Sequence, residues 1–156
     1  MKESFRGQCN LHVYFAEQYF AQINDMDADQ WGGHFKRATT ESMIWQLMLA
    51  YQSHLADLVD QQPKFGLPIP QGVFYAQSFA ALELPPEIDE LADREAQPGW
   101  LNSLVNYPFL QTAVASSAGL IASDAASVGR VDLDLEECLA ELKSLIARHR
   151  ATLMEY

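Results

Sequence analysis

Residues 44–58 read Ile44-Trp45-Gln46-Leu47-Met48-Leu49-Ala50-Tyr51-Gln52-Ser53-His54-Leu55-Ala56-Asp57-Leu58. Ile44, Met48, Tyr51, Leu55 and Leu58 recur at steps of three and four, the spacing of one face of an α-helix. A second stripe, Trp31, Phe35, Ala38, Trp45 and Leu49, keeps the helical period on another face. A helix with two apolar faces lies at the centre of its fold, or it reserves one face for another molecule. The pattern predicts a helix over about 28–60. Asp27 is placed to cap it, with Gln30 completing a capping box. Gly32 and Gly33 weaken its first turns.

Upstream, Phe5, Cys9, His12, Ala16, Tyr19 and Ile23 follow helical spacing, widened by Val13 and Phe20, which predicts a first helix over about 4–24. Downstream, Pro63, Gly66, Pro68, Pro70 and Gly72 force a loop. A short helix is expected over about 73–84. Pro85-Pro86 ends it, and Pro86 suits the first position of the next helix, about 86–96. Pro98 opens a further piece with Trp100, Leu101, Leu104 and Val105 facing inward, which Pro108 kinks or ends. Residues 113–131 are mostly Ala, Ser and Gly and lean towards an irregular segment. The last helix begins at a capping box of Asp134 and Glu137. Its stripe is Leu135, Cys138, Leu139, Leu142, Leu145, Ile146, His149 and Leu153. No window shows sustained strand alternation.

The fold class implied is all-α: a four-helix-like bundle with a broken third arm and an irregular segment before the last helix, in a single domain spanning 1–156. At 156 residues, 49% of them hydrophobic, the chain can bury a core without metal or disulfide. Cys9 and Cys138 are read as buried reduced thiols, with a redox pair between first and last helices as the alternative. The net charge of −11 has the wrong sign for nucleic acid and for anionic membrane surfaces. The N-terminus has no apolar signal segment, and the uncharged stretch 96–123 is broken by prolines and polar residues, so neither export nor a membrane span is expected. The acidic run Glu83, Glu87, Asp89, Glu90, Asp93 and Glu95 is read as a solvated helix face.

Three segments carry a family resemblance: Leu11-His12-Val13-Tyr14-Phe15-Ala16, then Pro86-Glu87-Ile88-Asp89-Glu90-Leu91 running on to Gly99-Trp100-Leu101, then residues 142–156. With these the chain resembles an uncharacterised domain-of-unknown-function family of small helical proteins from pseudomonads and related bacteria. The resemblance implies a single helical domain and transfers no site residue.

Motifs that carry chemistry are scarce. No Glu is followed three residues later by His, the pairing that di-metal bundles use, and no H-x-x-x-H occurs. Phosphate-cradling glycine loops and the G-x-S-x-G elbow are missing. Arg6 and His12 have a spacing that resembles the motif of HEPN-type helical ribonucleases, but Gly7 follows the Arg and the pair lies in the first helix. His54 and Asp57, three apart on one face, read as a surface pair. Trp31-Gly32-Gly33-His34 reads as a frayed first turn. His12, Glu41 and His149 each interrupt an apolar stripe on a different helix and form the candidate ligand pocket. The expected function is that of a non-enzymatic, soluble, cytoplasmic interaction protein that binds a protein partner or itself. It has no cofactor, no metal and no catalytic residue. The alternative is a small enzyme or ligand-binding bundle using those three residues.

Overall fold

The computed structural model describes residues 3–26, 33–69, 71–79, 83–109 and 133–154. They form α1 (Phe5–Asp25), α2 (His34–Asp60), α3 (Pro86–Ala96), α4 (Trp100–Val105) and α5 (Leu135–Met154), with 3-10 turns at Pro63–Phe65 and Ala76–Ser78. No strand occurs among the described residues, and the fold is all-α. Side-chain caps set two of the helix starts. The Ser4 hydroxyl accepts from the Gly7 amide at 3.0 Å, and Asp134 Oδ1 accepts from the Glu137 amide at 3.0 Å, which is half of the anticipated capping box.

α1 runs antiparallel to α2. Arg6 meets Asp57 near one end, and His12 meets Gln46 further along. The α1 face turned inward carries Cys9, Ala16 and Ile23, one buried residue every two turns. α2 is the central helix: Ser53 through Val59 are buried without interruption, because α1, α3, α4 and α5 all pack against it. The core gathers Met43, Leu47, Tyr51 and Leu58 of α2 with Ile88 and Leu91 of α3, Leu101 and Leu104 of α4, and Leu142 and Ile146 of α5.

The expected boundaries shift at two places for physical reasons. α2 starts at His34 and not near residue 28, because Gly33 has φ +81°, a left-handed conformation that ends a helix. The helix anticipated over 73–84 is, in its described part, only the single turn Ala76–Ser78. Side chains of other helices take its backbone groups instead. Gln52 donates from Nε2 to the Phe74 carbonyl and accepts from the Phe74 amide, and Glu95 accepts from the Ala76 and Gln77 amides at 2.7 and 3.0 Å. The Asp27 cap and the irregular reading of 113–131 lie outside the described residues. No described helix is long and apolar enough to cross a membrane.

Candidate functional site

The three residues proposed as a pocket have separate partners. His12 on α1 is half-buried and hydrogen-bonds Gln46 Oε1 through Nδ1 at 2.8 Å. Glu41 on α2 accepts from Arg37 Nε, one turn earlier, at 3.2 Å. His149 on α5 is buried, as its stripe position implies. Among the described residues no hydrogen bond or ion pair joins any two of them. Nor do Arg6 and His12 converge, since Arg6 donates to Asp57 Oδ2 at 3.1 Å.

His149 instead belongs to a polar chain through the interior. Its Nε2 lies 2.8 Å from Glu90 Oε1 on α3, and its Nδ1 lies 2.9 Å from His54 Nε2 on α2. The two imidazoles are stacked, 17° from parallel. Proton positions follow from the acceptor at the end. A carboxylate can only accept, so neutral His149 donates from Nε2 and accepts at Nδ1. His54 must then donate from Nε2, which leaves its Nδ1 as a bare lone pair. That atom is buried and has no hydrogen-bond partner. Burial lowers His54 to a pKa of about 3, helped by the adjacent titratable ring of His149 and by the charges of Arg150 and Arg6. Burial also lowers His149, against the opposing pull of Glu90. Glu90 is held down at about 2 by hydrogen bonds, first from Arg148, which grips both of its oxygens, then from His149 and Arg94. The chain ties α2, α3 and α5 together and keeps both imidazoles neutral.

His54 and Asp57 are therefore not a surface pair. They are 0% and 1% exposed, His54 turns to α5, and Asp57 turns to Arg6 on α1. The acidic run on α3 is likewise only partly solvated. Asp89 and Asp93 are exposed, while Glu87 and Glu95 are buried. Glu95 accepts from the Tyr51 hydroxyl in addition to the two amides of the 76–78 turn. Burial, reinforced by the Glu95 charge, raises the Tyr51 phenol well above its ordinary pKa. A signal was present in the spacing: Glu87, Leu91 and Glu95 follow one another at steps of four, on the face that also holds Ile88.

The cysteines do not pair. Both are free and buried, and burial raises each thiol to about 11. Cys9 is influenced most, after burial, by Arg150, whereas Cys138 approaches the Trp100 carbonyl. Residues 138 and 150 lie ~18 Å apart along α5 at 1.5 Å per residue. Among the described residues no group of three or more His, Cys, Asp and Glu is placed to hold a metal ion.

The outer face of α1 is the second feature. Leu11, Tyr14 and Phe15 are 39%, 54% and 37% exposed, and Gln18 and Gln22 continue the same face. Between residues 7 and 24 the sole Asp, Glu, Lys or Arg is Glu17, which pairs with Lys143 of α5 at 3.3 Å. The α2 stripe divides differently. Met48 and Tyr51 enter the core, while Phe35 and Trp45 remain 45% exposed, Trp45 edge-on to Phe109.

Fold and side chains together define an all-α helical domain with a hydrogen-bonded polar interior and one uncharged aromatic helix face. No family model, no curated protein and no solved structure matches the chain.

Proposed function

We propose that the chain is a non-enzymatic, cytoplasmic interaction protein that binds a protein surface through α1, a second copy of itself being the first candidate. The observation that carries this reading is the outer face of α1: three exposed apolar side chains and two glutamines, without a charge, on a chain of net charge −11. Charge depletion with aromatic enrichment is the composition of an interface core. Two copies repel through acidic faces, and an uncharged face is where that repulsion is least. Antiparallel pairing of two α1 helices would seat Tyr14 and Phe15 of each copy on the other, the self-complementary arrangement of a twofold dimer. Nucleic acid is disfavoured by the charge. Kinship with a family of small helical bacterial proteins remains part of this proposal and adds no role for any residue.

Sedimentation equilibrium tests the reading. The parent chain should associate at micromolar concentration, and Tyr14→Glu with Phe15→Glu should shift it to monomer. Trp45→Ser, on a different helix, should leave association unchanged. A parent that stays monomeric at high concentration and recovers no partner through α1 would remove the basis for the proposal.

A further inference from the structure

Arg150 of α5 is half-buried, and its side chain is held differently from those of four other arginines. Arg6, Arg37, Arg94 and Arg148 each donate to a carboxylate. In Arg150 the Nε and Nη2 atoms are buried and have no hydrogen-bond partner. These two atoms act as a pair. Nη2 is the terminal nitrogen on the same side as the Nε–H, so the two N–H bonds are parallel and form one edge of the guanidinium fork. That edge fits two oxygens of a single carboxylate or phosphate group. A buried donor without an acceptor is costly, and more so on a charged group. The interior groups that feel the Arg150 charge supply no counter-charge. Burial keeps the Cys9 thiol protonated, raised to about 11, and the His54 imidazole neutral, lowered to about 3.

Arg150 also borders a cleft of about 200 Å³ between α1 and α5. Asn10 and Val13 of α1 line it with Lys143, Ile146 and Ala147 of α5. Acids outnumber bases 21 to 10 in the chain, yet two bases and no acid line this cleft. Its volume is below the roughly 300–1,000 Å³ of drug-sized pockets, which suits a group of a few heavy atoms. Lys143 is 51% exposed, with its ammonium 3.3 Å from Glu17, so it is free to share its donors with the cleft.

We propose that this cleft binds a phosphate group, with Arg150 as its fork. Turning the guanidinium towards the cleft breaks no hydrogen bond at Nε or Nη2 and sets both N–H groups on two phosphate oxygens. Lys143 and Asn10 donate to the remaining oxygens. A carboxylate has only two oxygens and is filled by the fork alone, whereas a tetrahedral phosphate uses all three side chains. The net charge of −11 opposes any anion at long range, but that repulsion is screened over about 10 Å at 0.1 M salt, while the fork acts at contact. The site does not depend on association through α1.

Four anions test it: inorganic phosphate, glycerol phosphate, acetate and chloride. Each is titrated at equal ionic strength into the nitrogen-labelled full chain and followed at the arginine Nε–H and backbone amide resonances. Phosphate should move the Arg150 Nε–H resonance, with saturable shifts at Asn10 and Ala147. It should bind about tenfold more tightly than acetate, and chloride, which cannot span the fork, should bind least. Glycerol phosphate binding above inorganic phosphate would assign the site to a phosphate ester, and the reverse order to free phosphate. Arg150→Lys keeps the charge but removes the fork, and it should lower phosphate affinity about tenfold. Arg37→Lys, on an exposed part of α2, should leave that affinity unchanged. An Arg150 resonance that stays put, shifts that do not saturate, or acetate or chloride binding as tightly as phosphate would each overturn the proposal in the parent chain, however the variants fold. Unchanged phosphate affinity in Arg150→Lys would overturn the role of the fork.

Discussion

His54 shows what a single buried atom does to stability. Its Nδ1 lone pair has no donor, and its neighbours include the guanidinium groups of Arg150 and Arg6, so a proton added there would meet positive charge in a desolvated place. Protonating His149 is opposed differently. A proton on Nδ1 would face the N–H of His54, and the hydrogen bond between the rings would be lost. Glu90 and Glu87 favour a charged His149, Arg148 opposes it, and burial decides the balance towards neutrality. The sign of the pH effect follows. Both imidazoles titrate below their ordinary value of 6.5 in the fold. As pH falls through 6.5 the unfolded chain takes up protons that the native chain resists, and stability drops. For His54 alone, the loss between pH 7 and pH 5 should be about 2 kcal/mol. Glu90, held at about 2, adds a separate loss below pH 4.5. Urea melts across this range should show the decline in the parent and a much flatter curve in His54→Leu with His149→Leu. Stability that is flat or rising towards acid in the parent would show that the chain is solvated.

At the scale of elements, the turn at 76–78 is held from outside. Gln52 of α2 and Glu95 of α3 occupy backbone groups of residues 74–77 that a continuous helix would have used internally. Glu95→Ala leaves the Tyr51 hydroxyl and two amides unpaired, which should cost about 3–5 kcal/mol. Tyr51→Phe removes one donor and leaves Glu95 its two amides, so about 1–2 kcal/mol is expected. Equal losses in the two variants would mean that the turn is not held by the carboxylate. This turn also marks the limit of what periodicity reveals. The stripes of α1, α2 and α5 were legible because a long helix repeats its apolar spacing over many turns. The core position of His149 was legible for the same reason. For residues 73–79 the local pattern predicts a helix where a single turn forms, because the competing bonds come from side chains 22 and 18 or more residues away, which a local pattern does not contain. Glu90 and Glu95 belong to an acidic run that reads, from charge patterning alone, as a solvated helix face. What distinguishes them is a partner: an imidazole and two guanidiniums for Glu90, a phenol and two amides for Glu95.

For the whole molecule the governing quantity is charge. Two chains of net charge −11 repel at a distance, whatever their contact surfaces are. If α1 joins them, attraction comes from burying Leu11, Tyr14 and Phe15, a term that salt does not weaken. The repulsion is long-ranged and is screened over about 10 Å at 0.1 M salt and about 3 Å at 1 M. The two terms therefore respond oppositely to ionic strength, and self-association through α1 should tighten as salt rises. An interface built on acidic residues of one copy meeting basic residues of the other would loosen instead. Sedimentation equilibrium at 50 mM and 500 mM sodium chloride separates the two. The parent dimer should gain affinity at the higher salt. Trp45→Ser should show the same gain, because it leaves the charge and the α1 face intact. Tyr14→Glu with Phe15→Glu adds two negative charges to each copy and removes the apolar contact, and it should remain monomeric at both concentrations. A parent dimer that dissociates on adding salt would place the contact on charged residues away from α1.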